Sequence, residues 1–279
     1  MLVNLREILQ QADKKRYAVG GFNFTSLETA IAIVAAAEAE KSPAILQISE
    51  KTIDYCGLEL AFAIAKTLID KSPRPIAIHF DHGRNFPLVK KAVEIGFSSV
   101  MLDVSKMPEK ERIPFVKDFV EFAHKRNVTV EAEETVIAGR EDYIQGEAHM
   151  FTDPKRAKQF TEETGIDCFA VSIGSSHGKP IPNENLHMDL LAEIDKAVSV
   201  PLVLHGASST PKPLIRQAIS LGICKINIDT DLRLAFTDEV RQTLRDESLY
   251  DPRDVLRPSI EAVKKVIEEK MKMFGSSQK

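Results

Sequence analysis

The chain has 279 residues, 43% hydrophobic and 28% charged, which is enough to bury a large core and too apolar for a disordered chain. Thirty-seven Lys and Arg against forty-one Asp and Glu give a net charge of −4, too balanced for a protein that grips a nucleic-acid backbone or an anionic membrane surface. The three cysteines Cys56, Cys168 and Cys224 are odd in number and unclustered, which excludes a disulfide framework or zinc ribbon and points to a reducing, cytoplasmic setting.

The first 15 residues carry charges early and contain no apolar run of about 7–15 residues, so they do not read as a signal peptide. No window nears the roughly 20 apolar residues of a membrane span. Strand-length apolar runs then recur at 17–24, 44–49, 76–81, 98–103, 128–133, 168–173, 201–205 and 223–228. They read as near-continuous rather than alternating, the pattern of parallel strands buried on both faces. Between them lie helical patterns with their own punctuation. Thr25-Ser26-Leu27-Glu28 has capping-box spacing before the alanine-rich stretch 30–40. Thr152-Asp153-Pro154 and Thr210-Pro211 each set a cap-forming side chain ahead of a proline suited to a first helical turn. Gly96, Gly165 and Gly222 stand between a helical pattern and a strand, where a left-handed C-cap is wanted. Residues 275–279 read as a frayed tail. Eight strand-helix repeats predict one α/β domain over 1–279, a (β/α)8 or TIM barrel with a C-terminal helical extension. A doubly wound open sheet is the alternative.

In such a barrel, chemistry sits at the C-terminal strand ends. Those ends carry Asn23, Ser49, Asp81 with His82, Asp103, Glu133, the loop 172–178, His205, and Asn227 with Asp229. A solvated strand end explains any one of them; carboxylates and imidazoles concentrated on one rim call for a function. His82, His177 and His205 follow three different strands, and three neutral imidazoles leave an open position on a catalytic zinc ion. His79, His124, His149 and His187 read as structural or solvated. Asp81 either orients its neighbouring ligand or acts as an acid/base beside it. Asp103 and Glu133 either complete a second cation site or hydrogen-bond the first set of ligands. The loops His205-Gly206-Ala207-Ser208-Ser209 and Asn227-Ile228-Asp229-Thr230 present small residues where barrels commonly hold phosphate.

Ile76-Ala77-Ile78-His79-Phe80-Asp81-His82-Gly83 resembles the first signature of the class II, metal-dependent ketose-bisphosphate aldolases, and Val130-Glu131-Ala132-Glu133 with the downstream Glu141-Asp142 resembles the second. The similarity runs end to end, through Asn23, the loop 173–178, residues 201–208 and 225–230, and Asp251-Pro252-Arg253 ahead of a helix ending Glu269-Lys270-Met271. It implies zinc, replaceable by cobalt or iron(II), on His82, His177 and His205, and a second metal or monovalent cation at Glu133 and Asp103. It implies that Asp81 protonates the aldehyde oxygen in condensation and that a mobile-loop Glu141 removes the proton from the dihydroxyacetone phosphate carbon. Gly178, Gly206, Ala207, Ser208, Asn227, Asp229 and Thr230 match the ketose-phosphate cradle, with Asn227 near the enediolate, and Asn23 matches the substrate site as well. Ser49 matches a residue at the second phosphate, and Arg253 an arginine lent there by a neighbouring subunit, which requires a homodimer or homotetramer.

Glu134-Thr135, Ala138-Gly139 and Val104-Ser105-Lys106 depart from the family's usual residues. The resulting expectation is reversible, zinc-dependent cleavage of fructose 1,6-bisphosphate to dihydroxyacetone phosphate and glyceraldehyde 3-phosphate, with a place in glycolysis. Tagatose 1,6-bisphosphate is the alternative substrate, and a non-catalytic sugar-phosphate barrel the alternative class. A metal-dependent hydrolase lacks its usual HxH pair, and a Schiff-base mechanism would have to recruit Lys225, the one lysine inside a barrel-strand segment.

Overall fold

The computed structural model describes residues 1–135, 137–142, 144–146, 150–178, 185–208 and 210–279, and only the backbone at 138, 140, 141, 144–146 and 177. The chain opens with α1 (Leu5–Lys15), then runs β1 (Val19–Asn23), α2 (Leu27–Ala39), β2 (Ala44–Ser49), α3 (Glu50–Cys56) and α4 (Leu58–Lys71). β3 (Ile76–Gly83), α5 (Phe86–Ile95), β4 (Ser99–Asp103), α6 (Glu109–His124) and β5 (Thr129–Glu133) follow. A hairpin of β6 (Ala138–Glu141) and β7 (Ile144–Gly146) precedes α7 (Pro154–Thr164) and β8 (Cys168–Val171). β9 (Ser176–His177), α8 (Met188–Ala197), β10 (Leu202–Leu204), α9 (Lys212–Ser220), β11 (Ile223–Ile228), α10 (Thr230–Thr243) and α11 (Pro252–Phe274) complete the order.

Eight strands close a barrel in the order β1-β11-β10-β8-β5-β4-β3-β2, every neighbour parallel. This is the expected (β/α)8 architecture, and it excludes the open sheet. Successive strand residues point to opposite sides of a sheet, and here the sides differ in chemistry. Phe22, Leu46, Phe80, Leu102, Val130, Phe169, Leu204 and Ile226 join the large core shared with the surrounding helices. Their alternates include Gln47, His79, Ser99, Glu131 and Lys225, all fully buried. The runs that read as near-continuous apolar stretches therefore alternate after all in β3, β5 and β11, apolar outward and polar inward.

The end of the barrel away from the strand C-termini is closed by α1, which the strand-helix count did not include. Asn4 caps it by accepting from Arg6 N at 2.9 Å, and Leu5, Ile8, Leu9 and Ala12 recur at helical spacing on one face. That face packs on Val19, Ile45, Ala77, Met101, Cys168, Ala170 and Val203. At the other end β6 pairs antiparallel with β7 and parallel with β9, a small three-stranded sheet that no apolar run announced.

Three local readings change. Ser26, not Thr25, caps α2, and its capping-box partner is Thr29, whose hydroxyl reaches back to the Ser26 N–H at 3.0 Å. Pro211, not Thr210, occupies the N-cap of α9, without a side-chain bond. The last residues are docked rather than frayed. Ser276 is fully buried against Ser42 at 2.9 Å, and Gln278 N donates to Glu40 O at 2.8 Å. This anchors α11, whose Lys270 holds Ser208 O at 3.1 Å and Asp231 at 2.5 Å, so the extension steadies the loop after β10 and the first turn of α10.

Leu9 is 1% exposed in the plug. Leu9→Ala should cost about 2–5 kcal/mol in denaturant unfolding while leaving turnover unchanged, because the cavity opens at the end of the barrel remote from the strand C-termini.

Candidate active site

The strand C-termini surround a cleft lined by Asn23, Ser49, Asp81, His82, Gly178, Gly206, Ser208, Asn227 and Asp229, together with Glu50, Lys51, Arg84 and Asp142. Asp81 and His82 of this lining and the fully buried His205 bring one ligand atom each within 4.8 Å of one another. In a regular strand Asp81 and His82 would point to opposite faces. The β3–β4 register shifts between Phe80 and Gly83, and His82 takes φ 49, the left-handed region that non-glycine residues seldom enter. Such a conformation costs on the order of 1–3 kcal/mol and persists where its surroundings enforce it. Here it turns two consecutive side chains into one site.

His82 Nε2 and His205 Nδ1 face each other at 2.8 Å, and the rings meet edge to face. Each imidazole is backed by carboxylate on its far side. His205 Nε2 lies 2.9 Å from Glu131 Oε1. His82 Nδ1 lies 3.8 Å from both Asp103 and Glu133. His205 has the arrangement of a metal-ligating histidine, one nitrogen toward the cluster and the other held by an acid that fixes tautomer and ring orientation, whereas at 3.8 Å the two acids act on His82 through their charge. Burial by itself would lower the basicity of His82, but Asp81, Asp103 and Glu133 outweigh it and raise its pKa to about 9. For Glu133, burial and the neighbouring Asp103 charge push the carboxyl well above its ordinary range.

Asp81 is 5% exposed. Asn23 Nδ2 donates to its Oδ2 at 2.8 Å and Asn227 Nδ2 to its Oδ1 at 3.2 Å. Burial pulls its pKa upward, yet the basic groups of His82, His205 and Lys225 and the Asn23 bond win, holding it below the usual carboxylate value. Asp81 is thus an ionised acceptor at neutral pH. Gln47 steadies Asn23 through a 2.8 Å bond. Gly21 makes room for this layer: a Cβ there would stand 2.1 Å from Gln47 Oε1 and 3.0 Å from Asn227 Oδ1.

Asp103, expected at a second cation, already carries one of the chain's own. Arg84 Nε and Nη2 both lie 2.6 Å from its Oδ2, while Ser105 donates to its Oδ1 from Oγ at 2.6 Å and N at 3.1 Å. Two of the residues that depart from the family pattern are held by one guanidinium, since Arg112 donates to Glu134 O and Ser105 O, each at 2.9 Å. Glu134 itself lies 3.7 Å from Arg156.

Ser49 lines the cleft and donates to Asp142 at 2.7 Å. Asp142 is also paired with Arg233 at 2.8 Å, and Arg233 with Asp229 at 2.5 Å. Thr230 begins α10. Ala207 is fully buried behind Gly206 and Ser208. Arg253 is exposed at the start of α11, paired with Asp251 at 2.6 Å, and is not among the residues lining this cleft. The side chains of His177 and Glu141, and all of His149, lie outside the described residues. Of the remaining histidines, His79 is fully buried against Ser99 at 2.7 Å, and His124 bonds Asp167 at 2.9 Å. Lys225 is fully buried, 2.9 Å from Glu131 and 2.7 Å from Asn227, so it is a poor nucleophile for a Schiff base. The strand-end pattern gives no role to Gln47, Lys51 or Arg84, and Glu131 and Asp142 stand in the sequence only as parts of the second signature. For Glu131 a signal was present, because it stands two residues before Glu133 on the same strand face.

The family model of class-II fructose-bisphosphate aldolase matches residues 3–279. A fructose-bisphosphate aldolase of Geobacillus stearothermophilus is 42% identical over 282 residues, covering 100% of this chain and 98% of the relative. A 6-phospho-5-dehydro-2-deoxy-D-gluconate aldolase of Bacillus licheniformis is 41% identical over 281 residues, covering 99% and 96%. The crystal structure of the YdjI aldolase from Escherichia coli K12 superposes with a TM-score of 0.87 at 33% identity, covering 100% of this chain and 99% of that one. The chain belongs to the class-II fructose-bisphosphate aldolase family.

Proposed function

We propose that this aldolase cleaves fructose 1,6-bisphosphate reversibly to dihydroxyacetone phosphate and glyceraldehyde 3-phosphate, using a divalent ion, zinc in the first instance. The observation that carries the reading is the convergence of Asp81, His82 and His205 beside Asn227 at the mouth of the barrel. Two imidazoles backed by carboxylates suit a borderline ion such as zinc, cobalt or iron(II), and His177 is the third ligand in this reading. Such an ion supplies Lewis acidity for the ketone oxygen and for the negative charge that grows there as the bond breaks.

The chain's own groups do the rest. Asp81, ionised and fixed by Asn23 and Asn227, accepts the proton of the C4 hydroxyl. The C3–C4 bond then breaks, the aldehyde leaves, and the electron pair remaining on C3 takes a proton, assigned here to Glu141. Asn227 Nδ2 stands ready to donate to charge developing beside Asp81. Gly178, Gly206, Ala207, Ser208, Asp229 and Thr230 are assigned to the phosphate of the retained half, where the loops after β10 and β11 and the N-terminus of α10 meet. Asn23 belongs to the substrate site through its grip on Asp81. Ser49 is assigned to the other phosphate, joined by Lys51 and Arg84 from the cleft wall and by Arg253 of a neighbouring subunit in a homodimer or homotetramer. Glu133 is assigned to support of His82. A cytoplasmic, glycolytic role completes the proposal; among the described residues no helix is long and apolar enough to cross a membrane.

A second reading keeps the mechanism and changes the far end of the substrate. The 41% identity to a 6-phospho-5-dehydro-2-deoxy-D-gluconate aldolase is nearly equal to the 42% for a fructose-bisphosphate aldolase, and the basic Lys51 and Arg84 in the cleft would receive a carboxylate as readily as a phosphate. The epimeric tagatose 1,6-bisphosphate is a third substrate to compare. Metal analysis paired with kcat/KM on the three sugars decides; highest activity on either competitor replaces the fructose assignment.

Removal of the ion by chelator should abolish cleavage, with recovery on adding zinc; full activity in a metal-free sample would exclude the mechanism. His82→Ala and His205→Ala should lose both bound metal and turnover. Asp81→Asn should retain metal while slowing cleavage by about two to four orders of magnitude, read by metal content and kcat on the same preparation.

The pH dependence of the chelated protein has a definite sign. His82 is raised from 6.5 to about 9 in the folded chain, so its contribution to stability is complete below 6.5 and lost as pH rises through 9. Glu133, also raised, acts in the same direction. Thermal midpoints of chelated protein should therefore fall between pH 6.5 and 9, and zinc, which displaces the proton, should flatten the curve. A flat profile without metal would overturn this reading of the two groups.

A further inference from the structure

We infer that the buried Glu131–Lys225 pair is the positioning element of the site, Glu131 selecting the nitrogen that His205 offers to a metal and Lys225 selecting the face that the Asn227 amide turns to substrate. The inference rests on the aldolase reading above. Both side chains are fully buried inside the barrel. Each stands two residues before a residue at the C-terminal end of its strand, Glu131 before Glu133 on β5 and Lys225 before Asn227 on β11.

Donors and acceptors fix both choices. An ionised carboxylate only accepts, so the hydrogen between Glu131 Oε1 and His205 Nε2, 2.9 Å apart, belongs to the imidazole. His205 Nδ1, 2.8 Å from His82 Nε2, is then the nitrogen with the lone pair. An ammonium only donates, so Asn227 must turn Oδ1 toward Lys225 Nζ at 2.7 Å and Nδ2 toward the cleft. Nδ2 accordingly donates to Asp81 Oδ1 at 3.2 Å and lies 3.3 Å from the His205 ring. Glu131 Oε2 to Lys225 Nζ, at 2.9 Å, ties the two choices together. An imidazole has two tautomers and an amide two nearly isosteric orientations, so packing does not separate them; fixed charges do. Nor does a buried ion pair recommend itself as filler, since well-packed apolar groups of like volume are commonly as stable or more so. The apolar layer of Val19, Ile45, Ala77 and Met101 above α1 is such a filling in this same barrel.

The test uses full-length protein carrying Glu131→Gln, Lys225→Met, Asn227→Ala or the Lys225→Met/Asn227→Ala pair, with zinc affinity measured against a chromophoric chelator and kcat and KM on the best-cleaved ketose phosphate. Glu131→Gln should weaken zinc binding by about 10- to 100-fold, with excess zinc restoring most of the turnover. Lys225→Met should keep zinc and KM within about threefold and lower kcat by roughly 10- to 100-fold, and it should cause no further loss when Asn227 is already alanine. Unchanged zinc affinity in Glu131→Gln overturns the first half. Equal losses from Lys225→Met in both Asn227 backgrounds overturn the second, because a merely structural lysine acts alike in both. If Lys225→Met does not fold, Glu131→Gln/Lys225→Met removes both charges together; normal zinc affinity and kcat in that variant overturn the inference. Should the wild-type protein cleave no ketose phosphate, the aldolase reading fails, and zinc affinity alone still decides the role of Glu131.

Discussion

A carboxylate sealed inside a barrel has no water to turn to, and the arrangement around Glu131 follows from that. Its two oxygens are answered by the His205 ring and the Lys225 ammonium, and those partners in turn touch His82 and Asn227. Asn227 joins Asp81, Asp81 joins Asn23, and Asn23 joins Gln47. One connected network thus runs through the polar upper half of the barrel, each member placed because its neighbour must be satisfied. Burying an unpaired charge would cost several kcal/mol. The rotamers of the site are therefore fixed from beneath, by the barrel, more than from above by loops.

That network is possible because the two faces of the barrel sheet are built from different chemistry. The outward face supplies the cohesion, with Phe, Leu, Val and Ile buried under the helices at about 25 cal/mol per Å² of apolar surface. The inward face is apolar only in the layer against α1. Stability is concentrated in the helix-sheet interface and the plug, which leaves the upper interior free to hold polar groups. The strained backbone at His82 belongs to the same division of labour. A left-handed residue at a register shift weakens the strand locally, but it delivers two adjacent side chains to one centre.

The helices outside the barrel also serve the site. The docked tail anchors α11, whose Lys270 holds the loop after β10 and the first turn of α10, while Arg112 of α6 ties together the loops after β4 and β5. Arg84 neutralises Asp103 beside His82. A second cation expected from the resemblance would have to compete with a guanidinium that is permanently charged and attached to the chain.

The strand count, the helix punctuation at Gly96, Gly165 and Asp153, and the concentration of acids and imidazoles at strand ends were all legible in the chain, because they depend on residue spacing alone. So was the family, through motifs contiguous in sequence. The inward alternation in β3, β5 and β11 was also written there, but it is easily masked by the apolar residues between: Glu131 stands out only as part of a signature and Lys225 only as a candidate nucleophile, neither as half of a buried ion pair. Other features could not be read in advance. The capture of Asp103 by Arg84 joins residues 19 apart, the contact of His205 with Glu131 residues 74 apart, and the docking of Ser276 on Ser42 residues 234 apart. Spacing fixes which face a side chain occupies; only closure of the barrel decides which charge on another strand stands opposite, and with it the tautomer, the amide orientation and the ionisation of each group in the site.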